Sequence, residues 1–206
     1  MMDILEVYER PYNPDFPVVC FDEKSKQLLQ DKRTAIAVKP GRIKKQDYEY
    51  QRNGTVNLFV AVEPLAGRRR VRVTKRRTKS HFAREIRQLV TKDYQEAKRV
   101  ILVMDNLNTH REESLVKELG KREARKILGK IEWHFTPKHA SWLNMAEIEI
   151  SVLSSQCLKR RIPAFQEMQK QVAAWVRDRN RRRSGINWTF TRKEAFQKFK
   201  LNTNNN

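Results

Sequence analysis

Five consecutive apolar residues, Val100 to Met104, run straight into Asp105 and Asn106. A short apolar run closed by turn-forming residues reads as a buried strand, and such a strand delivers a carboxylate to the edge of a sheet. Two further segments are patterned around an acid. Val18 to Phe21 leads into Asp22, and the stretch from Trp142 to Leu153 encloses Glu147. In that stretch Trp142, Leu143, Met145, Ala146, Ile148, Ile150, Val152 and Leu153 make a helix apolar almost all round, which implies burial. A carboxylate inside such a helix needs a partner.

Each acid also has an ordinary structural reading. Asp22 could be a turn former at a strand end, Asp105 with Asn106 a simple Asx turn, and Glu147 a solvated helix residue. Asn106, Asn108 and His110 add a polar cluster at the end of the Asp105 strand, so a binding or catalytic loop stands beside the turn reading. Glu23 should point to the opposite strand face from Asp22, as an exposed or ion-paired side chain. Glu149 follows Glu147 by two residues, about 200° around the helix, so the two cannot face one centre. Periodicity alone does not choose between them.

Along the chain, residues 1–9 read as the end of a helix, and Pro11, Pro14 and Pro17 enforce an extended entry, giving a linker over residues 1–16. Strands are expected over 18–22, 56–62 and 68–77, with Gly54 separating 48–51 from the second. A helix over 80–90 follows, then a strand over 99–104, helices over 112–119 and 122–128, and a strand over 131–135. Ser141 is expected to cap the helix that carries Glu147, and a last helix spans 165–179. The Asn-rich end, 201–206, reads as a disordered tail.

A length of 206 residues suits one domain with a substantial core. Lys and Arg number 44 against 24 Asp and Glu, a net charge of +20, and only 39% of residues are apolar. That surface should attract phosphate polyanions, which specifies a partner class and no reaction. Charge runs are usually solvated faces, but three basic runs in one such chain point to DNA backbone contacts. The candidates are Arg68, Arg69, Arg70, Arg72, Lys75, Arg76, Lys138, His139, Arg160 and Arg161. Trp142 is read as a packed core residue rather than a base-stacking one. Cys20 and Cys157 are too few for a disulfide framework or a Cys-rich zinc site, and His134 with His139 makes a poor zinc pair. No stretch is long and apolar enough for a membrane span or a secretory signal, so a cytoplasmic, chromosome-associated protein is expected.

The order FDE, then VMDNLNTH, then FTPKHASWLNMAEIEIS resembles the DDE transposases of bacterial insertion sequences in the mariner superfamily. The resemblance runs from YERPYNP through QRNGTVNLFVAVEPLAGRR to LSSQCLKRRIP and NWTFTRKEA, nearly the whole chain. It implies an α/β, ribonuclease-H-like fold with a mixed five-stranded sheet flanked by helices, and the βββαβαβα order agrees. The catalytic domain is then expected over residues 17–200. The family's helix-turn-helix modules, which normally come first, are expected to lie in a separate or frameshifted reading frame, or to be lost from a truncated copy.

The resemblance further implies cleavage and strand transfer of DNA with two Mg²⁺, for which Mn²⁺ substitutes. Asp22 would bridge both ions, Asp105 would hold one and Glu147 the other. Glu147 is preferred to Glu149 because Trp142-Leu143-Asn144-Met145-Ala146-Glu147 best fits the family pattern. Asn106, Asn108 and His110 would support the site. The implied partners are double-stranded DNA with a TA target, a second copy in the DNA complex, and a separately encoded helix-turn-helix protein. Two alternatives stay open: a nuclease of the same fold that does not join strands, and an inactive, basic DNA-binding remnant.

Overall fold

The computed structural model describes residues 1–33, 39–41, 48–105 and 112–200. Five strands, β1 (Val18–Asp31), β2 (Tyr50–Glu63), β3 (Arg68–Thr74), β4 (Val100–Asp105) and β5 (Ile131–Thr136), form one sheet in the order β3-β2-β1-β4-β5. The first three are antiparallel neighbours, while β1, β4 and β5 run parallel. Parallel strands need crossovers and helices on both faces, which explains why residues 100–104 of β4 are all apolar and all buried.

One face is covered by α2 (Lys79–Gln88), α3 (Glu112–Leu119) and α4 (Lys121–Leu128). Val19, Phe21, Phe59, Leu102 and Met104 pack there against Phe82, Ile86, Leu115 and Ile127. Residues of opposite parity point to the other face, where α5 (Met145–Leu153) and α6 (Phe165–Arg181) lie. Leu58, Val60 and Val73 meet Ile150, Leu153, Met168 and Val172.

The sheet is longer than sequence suggests. β1 and β2 are each 14 residues, and Gly54 does not end β2 but sits inside it at φ +93°. The register slips there, with Gln27 opposite Thr55 and Leu29 opposite Arg52, a bulge that a glycine accommodates without a steric penalty. The outer edge of β3 is closed by Asn180, whose side-chain oxygen accepts from Arg69 N at 2.8 Å while its nitrogen donates to Arg69 O at 2.8 Å. A single carboxamide there replaces a neighbouring strand.

Residues 2–9, read from sequence as the end of a helix within the linker over 1–16, form α1 (Met2–Glu9), and Ile4, Leu5 and Val7 are buried in the core. They share a cluster with Cys20, Leu143, Met145, Ala146 and Ala195. Ala195 belongs to α7 (Arg192–Phe199), opened by a reciprocal Thr191–Glu194 capping box. Arg192 of α7 joins Glu9 at 2.7 Å and Glu6 at 3.3 Å in α1. The two terminal helices thus pack together under the start of α5. Both cysteines are free and buried. Among the described residues, no helix is long and apolar enough to cross a membrane.

Candidate active site

The parallel register pairs Phe21 with Met104, so Asp22 and Asp105, each one residue further on, come side by side where β4 ends; Asp22, expected at a strand end, lies inside β1, which runs on to Asp31. Adjacent strands lie about 4.8 Å apart. Both aspartates share the parity of Cys20 and Val103, which pack against Met145 and Ala146 of α5. They therefore rise on the face that carries α5, and Glu147 stands in the first turn of that helix.

Asn144 fixes this meeting. Its side-chain oxygen accepts from Ala146 N at 3.1 Å, capping α5, and its nitrogen donates to Phe21 O at 3.0 Å. The residue is wholly buried. Ser141, expected as the cap, instead opens a 3₁₀ turn, Ser141–Leu143, that leads into Asn144. Behind the turn the Tyr8 hydroxyl donates to Leu143 O at 2.7 Å and accepts from Met145 N at 3.4 Å. Neither Asn144 nor Tyr8 was singled out by sequence reasoning, although Asn ahead of a helical run is a recognisable cap signal.

Asp22 is only 7% exposed. Burial, with smaller contributions from the charges of Asp105, Glu147 and Glu23, pushes its carboxyl up to about 7, against the lowering effect of a 2.7 Å bond accepted from Glu23 N. The Asp105 carboxylate accepts from Thr136 Oγ1 at 2.9 Å. Glu147 is exposed, at the helix end where the macrodipole favours an anion.

Glu149 points the other way. It is fully buried, 2.7 Å from Arg69 Nε and 3.2 Å from Arg179 Nη2. Glu23 is ion-paired with Arg77 at 3.3 Å. Asn106, Asn108 and His110 lie outside the described residues.

Among the described residues, no group of three His, Cys, Asp or Glu side chains is gathered closely enough to hold a metal ion. Asp22 and the two acids whose charges act on it, Asp105 and Glu147, offer carboxylate oxygens only. An oxygen donor set of this kind suits hard Mg²⁺ or Mn²⁺ rather than Zn²⁺.

The basic candidates divide by environment. Arg69, expected on DNA, is 3% exposed and bonded to Gly67 O, Asn180 and Ser184 O besides its pairing with Glu149. Arg70 is held by Glu85 and Asp93, and Arg72 by Glu85 and Gln88. Arg161 clasps Asp31 and the backbone oxygens of Tyr48 and Glu49, with Tyr50 beneath it. Arg69, Arg70 and Arg161 thus serve contacts within the fold, while Arg72 is paired yet exposed. Arg68, Lys75, Arg76, Lys138, His139 and Arg160 are exposed, with Arg68 lying over the Tyr94 ring and Lys75 over Phe165. His134, part of the rejected zinc pair, joins Asp3 at 2.8 Å and Glu132 at 2.9 Å.

The fold has solved counterparts. The Mos1 mariner paired-end complex with Mn matches with a TM-score of 0.57 and 19% identity over 88% of this chain and 55% of that one. The Mos1 strand transfer complex gives 0.58 and 17% over 88% and 54%. The catalytic domain of Mos1 mariner transposase gives 0.54 and 15% over 91% of both chains. This chain thus spans about half the length of the two complexes' proteins, and at such identities the likeness establishes the ribonuclease-H-like fold rather than shared chemistry. No curated protein matches. The family model described as DDE superfamily endonuclease matches residues 17–169, well over half of the chain, and takes in Asp22, Asp105 and Glu147. The chain therefore belongs to the DDE superfamily endonucleases.

Proposed function

We propose that this domain cuts DNA at the ends of a mobile element and joins the freed 3′-hydroxyls to target DNA, with Asp22, Asp105 and Glu147 as the metal-holding acids. The observation that carries the reading is the buried Asp22 carboxyl, flanked by two further carboxylates whose charges act on it. Three acids so placed repel one another, and a dication relieves that repulsion. Two bound Mg²⁺ or Mn²⁺ would activate the attacking hydroxyl and stabilise charge on the phosphate oxygens. Asp22 contributes from the rigid central strand, Asp105 is oriented by Thr136, and Glu147 is set by the Asn144 cap. The exposed cations would hold the DNA backbone. DNA with a TA target, a second protomer and a helix-turn-helix partner follow from the family resemblance.

Supercoiled plasmid incubated with the protein should be nicked in Mg²⁺ or Mn²⁺ and untouched in EDTA, and pre-cut element ends should become joined to it. Loss of nicking in each of Asp22→Asn, Asp105→Asn and Glu147→Gln is expected. Nicking that persists in all three would end the proposal, while nicking without joining would mark a nuclease.

A further inference from the structure

We infer that Trp142 is a stacking surface for an unpaired DNA base beside the carboxylate site, an inference that rests on the function proposed above. A tryptophan surrounded by apolar sequence is expected in the core, yet Trp142 is 46% exposed. It is the outermost of three aromatic rings. Trp188 lies under it at 6.4 Å between centroids, only 17° from parallel, and Tyr8 meets Trp188 at 5.2 Å. Phe190 abuts Trp142 edge-on at 5.8 Å. The inner rings are locked, since Trp188 Nε1 donates to Phe190 O at 2.7 Å and the Tyr8 hydroxyl holds Leu143 O.

The position is as telling as the exposure. Trp142 sits in the 3₁₀ turn that ends at Asn144, and Asn144 caps the helix whose first turn holds Glu147. Platform and carboxylate therefore stand on consecutive elements joined at the buried Asn144. Basic side chains are near in the chain or on its neighbours: Lys138 is exposed four residues upstream, and Lys198 Nζ lies 5.8 Å from the Phe190 ring. Aromatic faces among cations suit single-stranded nucleic acid, because every base has a π-face to stack and every nucleotide a phosphate to hold. An enzyme acting at a strand end gains by holding the neighbouring base out of the duplex. Trp188 and Phe190 lie beyond the matched residues 17–169, so the platform joins the matched core to the C-terminal segment.

The test uses a duplex with a short unpaired 3′ overhang carrying 2-aminopurine, whose fluorescence falls on stacking, and needs no metal. With the full chain the fluorescence should drop on binding. Trp142→Ala should restore it and weaken overhang binding about 5- to 150-fold, the range for one base–aromatic stack, while leaving blunt-duplex affinity unchanged at a temperature well below the variant's lowered midpoint. Trp142→Phe should retain most of the quenching. Equal binding by wild type and Trp142→Ala, equal weakening on blunt and overhang duplexes, or loss of a dimer in sedimentation as the sole effect would each overturn the assignment. Plasmid nicking measured in parallel tests the metal reading separately, since the stacking readout survives if cleavage fails and the reverse also holds.

Discussion

Asp22 carries opposite consequences for stability and for activity. Its folded-state carboxyl is raised from 3.8 to about 7, so between those values the unfolded chain is ionised while the folded one keeps its proton. Metal-free stability should therefore fall as pH rises through that window and level off above it. Asp22→Asn removes the penalty, about 2–4 kcal/mol at pH 8 and less at pH 5, and should raise the metal-free thermal midpoint more at the higher pH while abolishing cleavage. Added Mg²⁺ should stabilise the wild type and not the variant. A midpoint that does not rise at pH 8 would show that Asp22 is not a strained acid. The neighbouring pair separates differently. Glu147→Gln should stop cleavage and leave the midpoint nearly unchanged, since the side chain is exposed. Glu149→Gln should cost about 3–5 kcal/mol, because Arg69 would be left buried without its counter-charge. The three acids were legible because each ends or interrupts an apolar pattern. The burial of Arg69 was not, because a basic run reads as a solvated face until the acid that faces one member of it is known. Nor was the exposure of Trp142 legible, since an apolar neighbourhood in sequence says nothing of what covers one ring.

At the scale of the element, strands and helices were read well where a segment's own pattern decides them and less well where a distant contact does. β4 and β5 come within a residue or two of expectation, whereas β2 runs on through Gly54 because β1 continues to pair with it beyond the bulge. α7 was visible in principle, since Thr191 and Glu194 have capping-box spacing. The helix carrying Glu147 begins at Asn144 rather than Ser141 because only Asn144 has both an acceptor for Ala146 N and a donor for Phe21 O. These two roles can be separated. Asn144→Ala should lose both, and Asn144→Ser should keep a cap and lose the strand contact. The two variants should thus differ in stability by the cap's share, about 1 kcal/mol, in denaturant titration. Both should cut at a similarly reduced rate, because each frees Glu147 from the strand that carries Asp22. Full activity in Asn144→Ser would mean that the cap alone positions Glu147.

Over the whole molecule, pairing of the terminal helices and distribution of charge are long-range facts that no local pattern reports. Glu6 and Glu9 meet Arg192 across nearly the full chain, so residues 1–9, read alone, gave a helix end but not its place against the core. The net charge of +20 was plain, but not how it is divided. Arg69, Arg70 and Arg161 are engaged with acids or backbone oxygens and at least partly buried, so binding to polyanions falls to the exposed set that includes Lys75, Arg76, Lys138 and Arg160. Each phosphate contact releases condensed counterions, and log affinity falls with log salt by about 0.9 per contact. A domain neutralising roughly six to ten phosphates should lose about 10³–10⁵ in affinity between about 50 and 200 mM salt. Two unrelated duplexes should behave alike, since phosphate contacts carry no sequence information. Titrating both by fluorescence anisotropy at several salt concentrations, Lys75→Ala and Arg76→Ala should each flatten the slope by about 0.9. Arg161→Ala, whose guanidinium already serves Asp31, should leave the slope unchanged and lower the thermal midpoint instead. A slope that flattens with Arg161→Ala and not with Lys75→Ala or Arg76→Ala would show that the ion-paired arginines leave their carboxylates for phosphate, and the division of charge drawn here would be reversed.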